Sequence, residues 1–165
     1  MAIYRTSHRR SVSHCHVRPH PVGPCDSREW TRAERQQERA LVASLHPNVV
    51  EVRAPSRKYN CHGYAFARAH GLFEFPDLFI VDDFSQVPTE EARIGDVLVY
   101  EDEEGEFTHS GFVKEVIDGE ITKLRSKWGK VAAYVHDPLD VEPSFGTPTR
   151  LLRRHRRRRT ATAIR

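Results

Sequence analysis

The sequence predicts an α+β fold in which a helix that carries a cysteine packs on a small antiparallel sheet. The first observation is the stretch RKYNCHGYAFARAHG at residues 57–71. Asn60 suits a helix N-cap and Gly71 suits the position after a helix end, so residues 61–70 are predicted to be helical, with Cys61 in the first turn. The second observation is the β-rich second half of the chain.

That second half predicts an antiparallel meander. GDVLVY at 95–100 and FTHSGFVKEVI at 107–117 are rich in β-branched and aromatic residues, as strands are. The dipeptide Asp-Gly at 118–119 is a strong signal for a two-residue hairpin turn, which leads into EITKLRSKWG at 120–129. KVAAYVHDPLDVEP at 130–143 has the composition for one more strand.

The segments before and between these elements are less regular. REWTRAERQQERALVASL at 28–45 consists mostly of good helix formers and is predicted to be a helix. NVVEVRAP at 48–55 is predicted to be a short strand or an extended lead into the cysteine segment. PDLFIVDDFSQVPTEEARI at 76–94 is predicted to be irregular.

The length of 165 residues fits one domain of ordinary size, and the hydrophobic share of 38% fits a folded chain. We expect a disordered basic, His-rich tail at 1–27, a domain at 28–150 and a basic Arg-rich tail at 151–165. No apolar run approaches the length of a membrane helix, and no hydrophobic region follows the basic N-terminus. The expected location is the cytoplasm, or outside the cell through export without a Sec signal peptide, as for a secreted effector.

The net charge of +3 conceals an acidic centre between basic ends. Residues 41–150 carry 11 Lys and Arg against 19 Asp and Glu, whereas residues 151–165 carry 7 Lys and Arg and no acid. The run RRHRRRR would attract an anionic partner non-specifically, since each arginine adds a salt-dependent electrostatic contribution. No nucleic-acid reading motif accompanies it. The acidic loop EDEEGE at 101–106 lacks the spacing of a calcium site, although it would favour cationic substrate groups.

Cys61 is the candidate nucleophile. A thiol attacks as thiolate, and the unpaired N–H groups of a helix's first turn lower a thiol pKa. A histidine within hydrogen-bond reach is the usual base, and His109 at the start of a predicted strand is the best candidate. Taken alone, Cys61 also fits a small buried core residue.

Three motifs in order carry a resemblance: YNCHGYAF at 59–66, GDVLVY at 95–100 and THSGFV at 108–113. Together they resemble the NlpC-type cell-wall peptidases and the CHAP-like amidases, which belong to the papain-like thiol hydrolases. The resemblance implies a papain-like fold, with Cys61 as nucleophile and His109 as base. It also implies a third polar residue on the following strand, where this chain has no His, Asn or Gln.

Hairpin geometry supplies candidates for that third residue. With the turn at 118–119, Gly111 faces Ser126 and His109 faces Trp128, so Ser126 is the polar side chain nearest His109 on that side of the sheet. His136 is the alternative if the next strand returns alongside.

Four other positions have expected supporting roles. Tyr59 would assist an oxyanion hole, or would simply be a packed aromatic residue. Asn60 would cap the helix, His62 would point to the surface and Asp96 would brace the turn before its strand.

The expected function is a thiol hydrolase that cleaves a peptide amide, by resemblance in bacterial peptidoglycan stems, with no metal or organic cofactor. The same Cys and His pair also performs deamidation and acyl transfer. The alternative from another class is a catalytically silent domain that docks on an anionic partner through its basic tails. The N-terminal His and Cys residues lack the paired spacing of zinc modules; they are His14, Cys15, His16, His20 and Cys25.

Overall fold

A computed structural model describes residues 4–5, 11–12, 28–69, 72–73 and 76–155. Helices and strands combine in an α+β fold, as predicted. The helices are α1 Arg32–Leu45, α2 Cys61–Phe66 and α3 Asp77–Asp83. The strands are β1 Tyr4–Arg5, β2 Ser11–Val12, β3 Val50–Arg53, β4 Phe84–Val87, β5 Val97–Glu101, β6 Phe107–Ile117, β7 Glu120–Lys127, β8 Ala133–His136 and β9 Thr147–Arg154. No helix in these ranges is both long and apolar enough to cross a membrane.

The described strands after β2 form one sheet of seven, in the order β3-β8-β7-β6-β5-β9-β4, and each neighbouring pair is antiparallel. The meander β5 to β8 is confirmed. Ile117 pairs with Glu120 across the predicted turn, where Asp118 and Gly119 both have positive φ. An Asp-Gly pair adopts that backbone at low cost, which is why the turn was predictable.

Two predicted helices begin or end at different residues. α1 starts at Arg32 because Thr31 and Glu34 form a capping box, in which each side chain accepts a backbone N–H of the other residue. α2 ends at Phe66 rather than at residue 70, because Arg68 and Ala69 adopt left-handed backbone. Gly71, the expected end signal, lies outside the described residues.

The prediction that 76–94 is irregular was wrong. This segment forms α3 and β4, and Phe79 and Phe84 from the two elements lie in the core. α3 has only 7 residues, too few for a helical period to stand out in the sequence.

The predicted boundary after Arg150 falls inside β9, so folded structure continues past it. β9 lies between β5 and β4, and the side chains of Leu151 and Leu152 are 1% exposed. These two leucines precede a run of arginines, and the charge of that run suggested a solvated tail. Residues 156–165 lie outside the described residues, as does 1–27 apart from the paired strands β1 and β2.

The large sheet carries apolar residues on both faces. Val97 and Val99 of β5 pack with aromatic residues of α2 and α3, and we call this side the α2 face. Leu98 and Tyr100 point the other way and pack with residues of β6, β7 and β9 on what we call the opposite face. α1 contributes Val42 to a further cluster built around the end of β7 and β8. Side chains alternate between the two faces along a strand, and residues that pair across neighbouring strands point to the same face. Each β6 residue therefore lies on the same face as its β5 partner.

Candidate active site

Asn60 fixes the position of Cys61 at the start of α2. The Asn60 side-chain oxygen accepts the backbone N–H of Gly63 at 2.9 Å, and its amide nitrogen donates to the carbonyl of Phe73 at 2.6 Å. Asn60 is therefore the N-cap, as predicted. Cys61 is buried, and its Sγ lies 4.0 Å from the carbonyl oxygen of Thr108 on β6.

The pKa of Cys61 is raised by burial to about 11, whereas the sequence predicted a lowered value. Backbone N–H groups at His62 and Ser110 favour the thiolate, and so does the Lys127 ammonium, but these contributions are smaller than the cost of desolvating the charge. In this arrangement Cys61 is a neutral thiol at pH 7.

His62 was expected at the surface, and this was wrong. The side chain is 3% exposed, and its Nδ1 lies 3.1 Å from the Ser110 hydroxyl on β6. Burial lowers the pKa of His62 to about 4, so the imidazole is neutral. The residue ties α2 to the sheet directly beside Cys61.

His109 lies on the opposite face of the sheet. It pairs with Tyr100, whereas the next residue, Ser110, contacts α2. The imidazole stacks on Phe145 with ring centroids 4.0 Å apart, and its edge contacts Tyr100 at 5.3 Å. Among the residues that the structure describes, neither ring nitrogen of His109 has a hydrogen-bond partner. Burial lowers its pKa well below the ordinary value, and His136 and His62 lower it further.

Cys61 and His109 are therefore near each other through the backbone but are not paired. Within the described parts of the chain no hydrogen bond joins the two side chains. The Cys61 thiol contacts the carbonyl of Thr108, and the N–H at Ser110 acts on its pKa. The thiol thus lies beside the residues on either side of His109.

Ser126 lies where the hairpin geometry placed it, opposite Gly111 and on the same face as His109. Its hydroxyl, however, is 2.7 Å from Nε2 of His136. Nδ1 of His136 lies 2.7 Å from the carbonyl oxygen of Asp137, which can only accept, so Nδ1 carries the proton and Ser126 donates to Nε2. Ser126 therefore orients His136, the alternative third residue, rather than His109.

Tyr59 is a packed aromatic residue. It is 7% exposed, stacks on Tyr64 with centroids 6.0 Å apart, and accepts a long hydrogen bond from Arg53 at 3.4 Å.

Asp96 braces its turn as expected, because it accepts the N–H of Arg93 and a bidentate pair of hydrogen bonds from Arg153.

Lys127 is a residue that the sequence reasoning missed. It is fully buried on the α2 face, where Nζ donates to the carbonyls of Gly129 at 2.9 Å and Val131 at 2.7 Å. Burial lowers its pKa to about 7, and the Cys61 thiolate opposes that shift. The same hairpin register that located Ser126 would have placed its neighbour Lys127 on the face with Cys61.

Within the described ranges no three His, Cys, Asp or Glu side chains converge as metal ligands. The N-terminal His and Cys group, His14 to Cys25, lies outside those ranges.

Comparison with known proteins gives no match to a family model, to a curated protein or to a solved structure.

Proposed function

We propose that the protein is a thiol hydrolase that cleaves a peptide amide, with Cys61 as nucleophile and His109 as base. The observation that carries the proposal is the state of His109, which is fully buried and lacks a hydrogen-bond partner on either ring nitrogen among the described residues. A buried imidazole without partners costs stability, and a catalytic role is one explanation for such a group. Its neutral form is the form that accepts a proton.

The position of Cys61 supports the proposal. The thiol occupies the first turn of a helix, and backbone N–H groups at His62 and Ser110 favour its anion. It also lies beside the backbone that carries His109. The proposal includes a rearrangement at the start of β6 that turns His109 to the α2 face, and the irregular pairing of Glu101 with Phe107 is at that point.

The reaction would follow the thiol-protease sequence. His109 takes the proton of Cys61, and the thiolate attacks the amide carbonyl carbon. The C–N bond then breaks as the imidazolium gives its proton to the leaving amine, and an acyl thioester remains. Water, deprotonated by the same imidazole, attacks the thioester and releases the acid and the thiol.

Peptidoglycan peptide stems are the proposed substrate, by the resemblance to NlpC-type enzymes. A cell-wall substrate would place the protein at the cell wall. Deamidation and acyl transfer would begin with the same acyl thioester, so the released fragments identify the reaction.

The test is digestion of purified peptidoglycan with the wild type and with Cys61→Ala and His109→Ala, with fragments analysed by mass spectrometry. The hydrolase proposal predicts new peptide fragments that disappear in both variants. A matched control is His155→Ala, which removes an exposed histidine that has no part in the proposed reaction and whose Nε2 lies 2.7 Å from the Ser85 hydroxyl. Identical, empty profiles from folded proteins would remove peptidoglycan from the candidate substrates.

A second candidate is a catalytically silent domain that binds an anionic partner through its Arg-rich end. The observation in its favour is that Cys61 is a buried, neutral thiol without a hydrogen bond to His109. Under this proposal, removal of 156–165 abolishes binding to heparin while Cys61→Ala leaves binding unchanged. The truncation begins after His155 because a cut at 151 would remove half of β9.

A further inference from the structure

Arg125 is an arginine on the α2 face with aromatic neighbours and no acidic partner among the described residues. Its guanidinium carbon lies 5.9 Å from the ring centroid of Tyr64 and 5.7 Å from that of Phe112. Its Nε is buried and has no hydrogen-bond acceptor in the described parts of the chain. A buried donor without an acceptor costs stability, so this group would gain from a ligand that supplies oxygen atoms.

A cavity of about 260 Å³ lies beside this arginine. Its lining combines two cationic side chains with apolar side chains and contains no acidic one. The lining residues are Ile94, Gly95, Phe112, Val113, Lys114 and Arg125.

The acidic residues that follow the cavity-lining Gly95 and Lys114 in the sequence are engaged elsewhere. Asp96 binds Arg153 at 2.8 Å, and Glu115 accepts the hydroxyl of Thr122 at 2.8 Å. In the described chain, neither Lys114 nor Arg125 therefore has its charge compensated by a carboxylate. Two uncompensated cations at an apolar cavity define the chemistry of the group that would fit it.

We propose that this cavity binds the carboxylate of an amphipathic ligand. The Arg125 guanidinium would take the carboxylate oxygens through its planar fork of N–H groups, and Lys114 would supply the second positive charge. Phe112 and its apolar neighbours in the cavity would contact the non-polar part of the ligand.

The position of the cavity connects it to the candidate active site. Tyr64, which contacts Arg125, follows Cys61 by three residues in α2, a rise of about 4.5 Å along the helix axis. If the ligand is the substrate of the hydrolase, that substrate is a peptide with a free carboxylate near the cleaved bond. This assignment rests on the proposed function, whereas the binding of a carboxylate in the cavity does not.

The experiment uses N-acetylphenylalanine and its neutral amide as probes, titrated into the ¹⁵N-labelled full chain and followed by NMR. The acid is expected to shift the backbone amides of Gly95, Val113 and Lys114, and to bind about 10- to 100-fold more tightly than the amide. This comparison uses wild-type protein only. Equal affinities for acid and amide would overturn the proposal.

Two arginine variants provide a matched control. Arg125→Ala is expected to lose the preference for the acid, and Arg125→Lys to keep part of it. The matched control is Arg150, which also lies over a phenylalanine ring, that of Phe107 at 5.0 Å. Arg150→Ala should keep the preference for the acid in full, because Arg150 is already paired with Glu101 at 2.8 Å. Loss of the preference in Arg150→Ala alone would contradict the assignment.

Inorganic phosphate separates a carboxylate site from a general anion site. Phosphate that binds as tightly as the acid and shifts the same amides would overturn the carboxylate assignment. Peptidoglycan digestion by Arg125→Ala then tests the link to catalysis. Normal digestion with lost carboxylate binding would show that the cavity is not the substrate site, while the hydrolase proposal would stand.

Discussion

Burial determines the protonation of the three side chains closest to the proposed chemistry. It raises the pKa of Cys61, and it lowers the pKa of His109 and of Lys127. At pH 7 burial thereby holds Cys61 and His109 in their neutral forms and leaves Lys127 about half protonated. For His109 this is the form that a base needs, whereas for Cys61 it means that the thiolate must be produced during the reaction.

Lys127 should make stability depend on pH in the alkaline range. Its folded pKa of about 7 lies below the ordinary 10.5, so above pH 7 the unfolded chain binds the extra proton and stability rises with pH. The expected slope is up to about 1.4 kcal/mol per pH unit between pH 7 and 9, and Lys127→Met should remove it. Urea unfolding at pH 7, 8 and 9 measures this slope.

The control is Lys123→Met, which removes a lysine from the same strand and should leave the slope unchanged. The window stops at pH 9 because the raised pKa of Cys61 acts in the opposite direction above that value. A wild-type protein with no rise in stability between pH 7 and 9 would contradict a buried neutral Lys127.

Among the elements, β9 is essential to the sheet although its sequence looks like the start of a tail. Leu152 packs with Val97 and Phe84 on the α2 face, and Leu151 packs on the opposite face. One strand thus contributes to the cores on both faces. Its loss would expose β5 and β4 as unpaired edges.

Two truncations test this role. A chain that stops after Arg150 is expected not to fold, whereas one that stops after His155 should unfold with wild-type free energy. Leu152→Ala alone should lower the free energy of unfolding by about 2–5 kcal/mol. Circular dichroism melts measure all three variants. A cooperative transition from the chain that stops after Arg150 would show that the second half of β9 is dispensable.

The close contact of β6 with β7 gives a second test. A Cβ at Gly111 would lie 2.8 Å from Cβ of Ser126, so Gly111→Ala should cost about 1–3 kcal/mol. Ser126→Gly removes the clash, so this substitution should cost less stability in the Gly111→Ala background than it does in the wild type. Additive effects in this double-mutant cycle would contradict the pairing register.

For the molecule as a whole, three buried neutral histidines make the fold sensitive to acid. The pKa values of His62, His109 and His136 are all lowered, chiefly by burial. A histidine with a lowered pKa contributes stability that is present above pH 6.5 and is lost as the pH falls. The reason is that the unfolded chain binds a proton at a pH where the folded chain does not.

We expect the free energy of unfolding to fall between pH 6.5 and pH 4, with His62 alone accounting for about 3 kcal/mol. Urea titrations at pH 7, 5.5 and 4.5 measure the decrease, and His62→Gln should reduce it. A free energy that is flat over this range would contradict neutral burial of the three imidazoles.

The sequence predicted the meander well because its signals are local. The Asp118 turn determines the pairing of Gly111 with Ser126, and Asn60 determines where α2 begins. It did not predict β9, since burial of Leu151 depends on strands about 50 residues away in the chain.

The site was predicted less completely, because side-chain direction depends on the alternation of β6. His109 and Ser110 are adjacent in sequence but point to opposite faces, and only the pairing with Tyr100 decides which of them faces Cys61. The burial of Lys127 is likewise a tertiary property, and so is the lack of an acceptor for Nε of Arg125 among the described residues.

The most direct test of the central claim is the acylation of Cys61 by p-nitrophenyl acetate, followed by peptide mapping of the acetyl group. We predict acetylation at Cys61 in the wild type, about 100-fold slower in His109→Ala and absent from this position in Cys61→Ala. Ser126→Ala, which removes a hydroxyl bonded to His136, should have a smaller effect. Equal acetylation rates at Cys61 in the wild type and in His109→Ala would show that His109 is not the base.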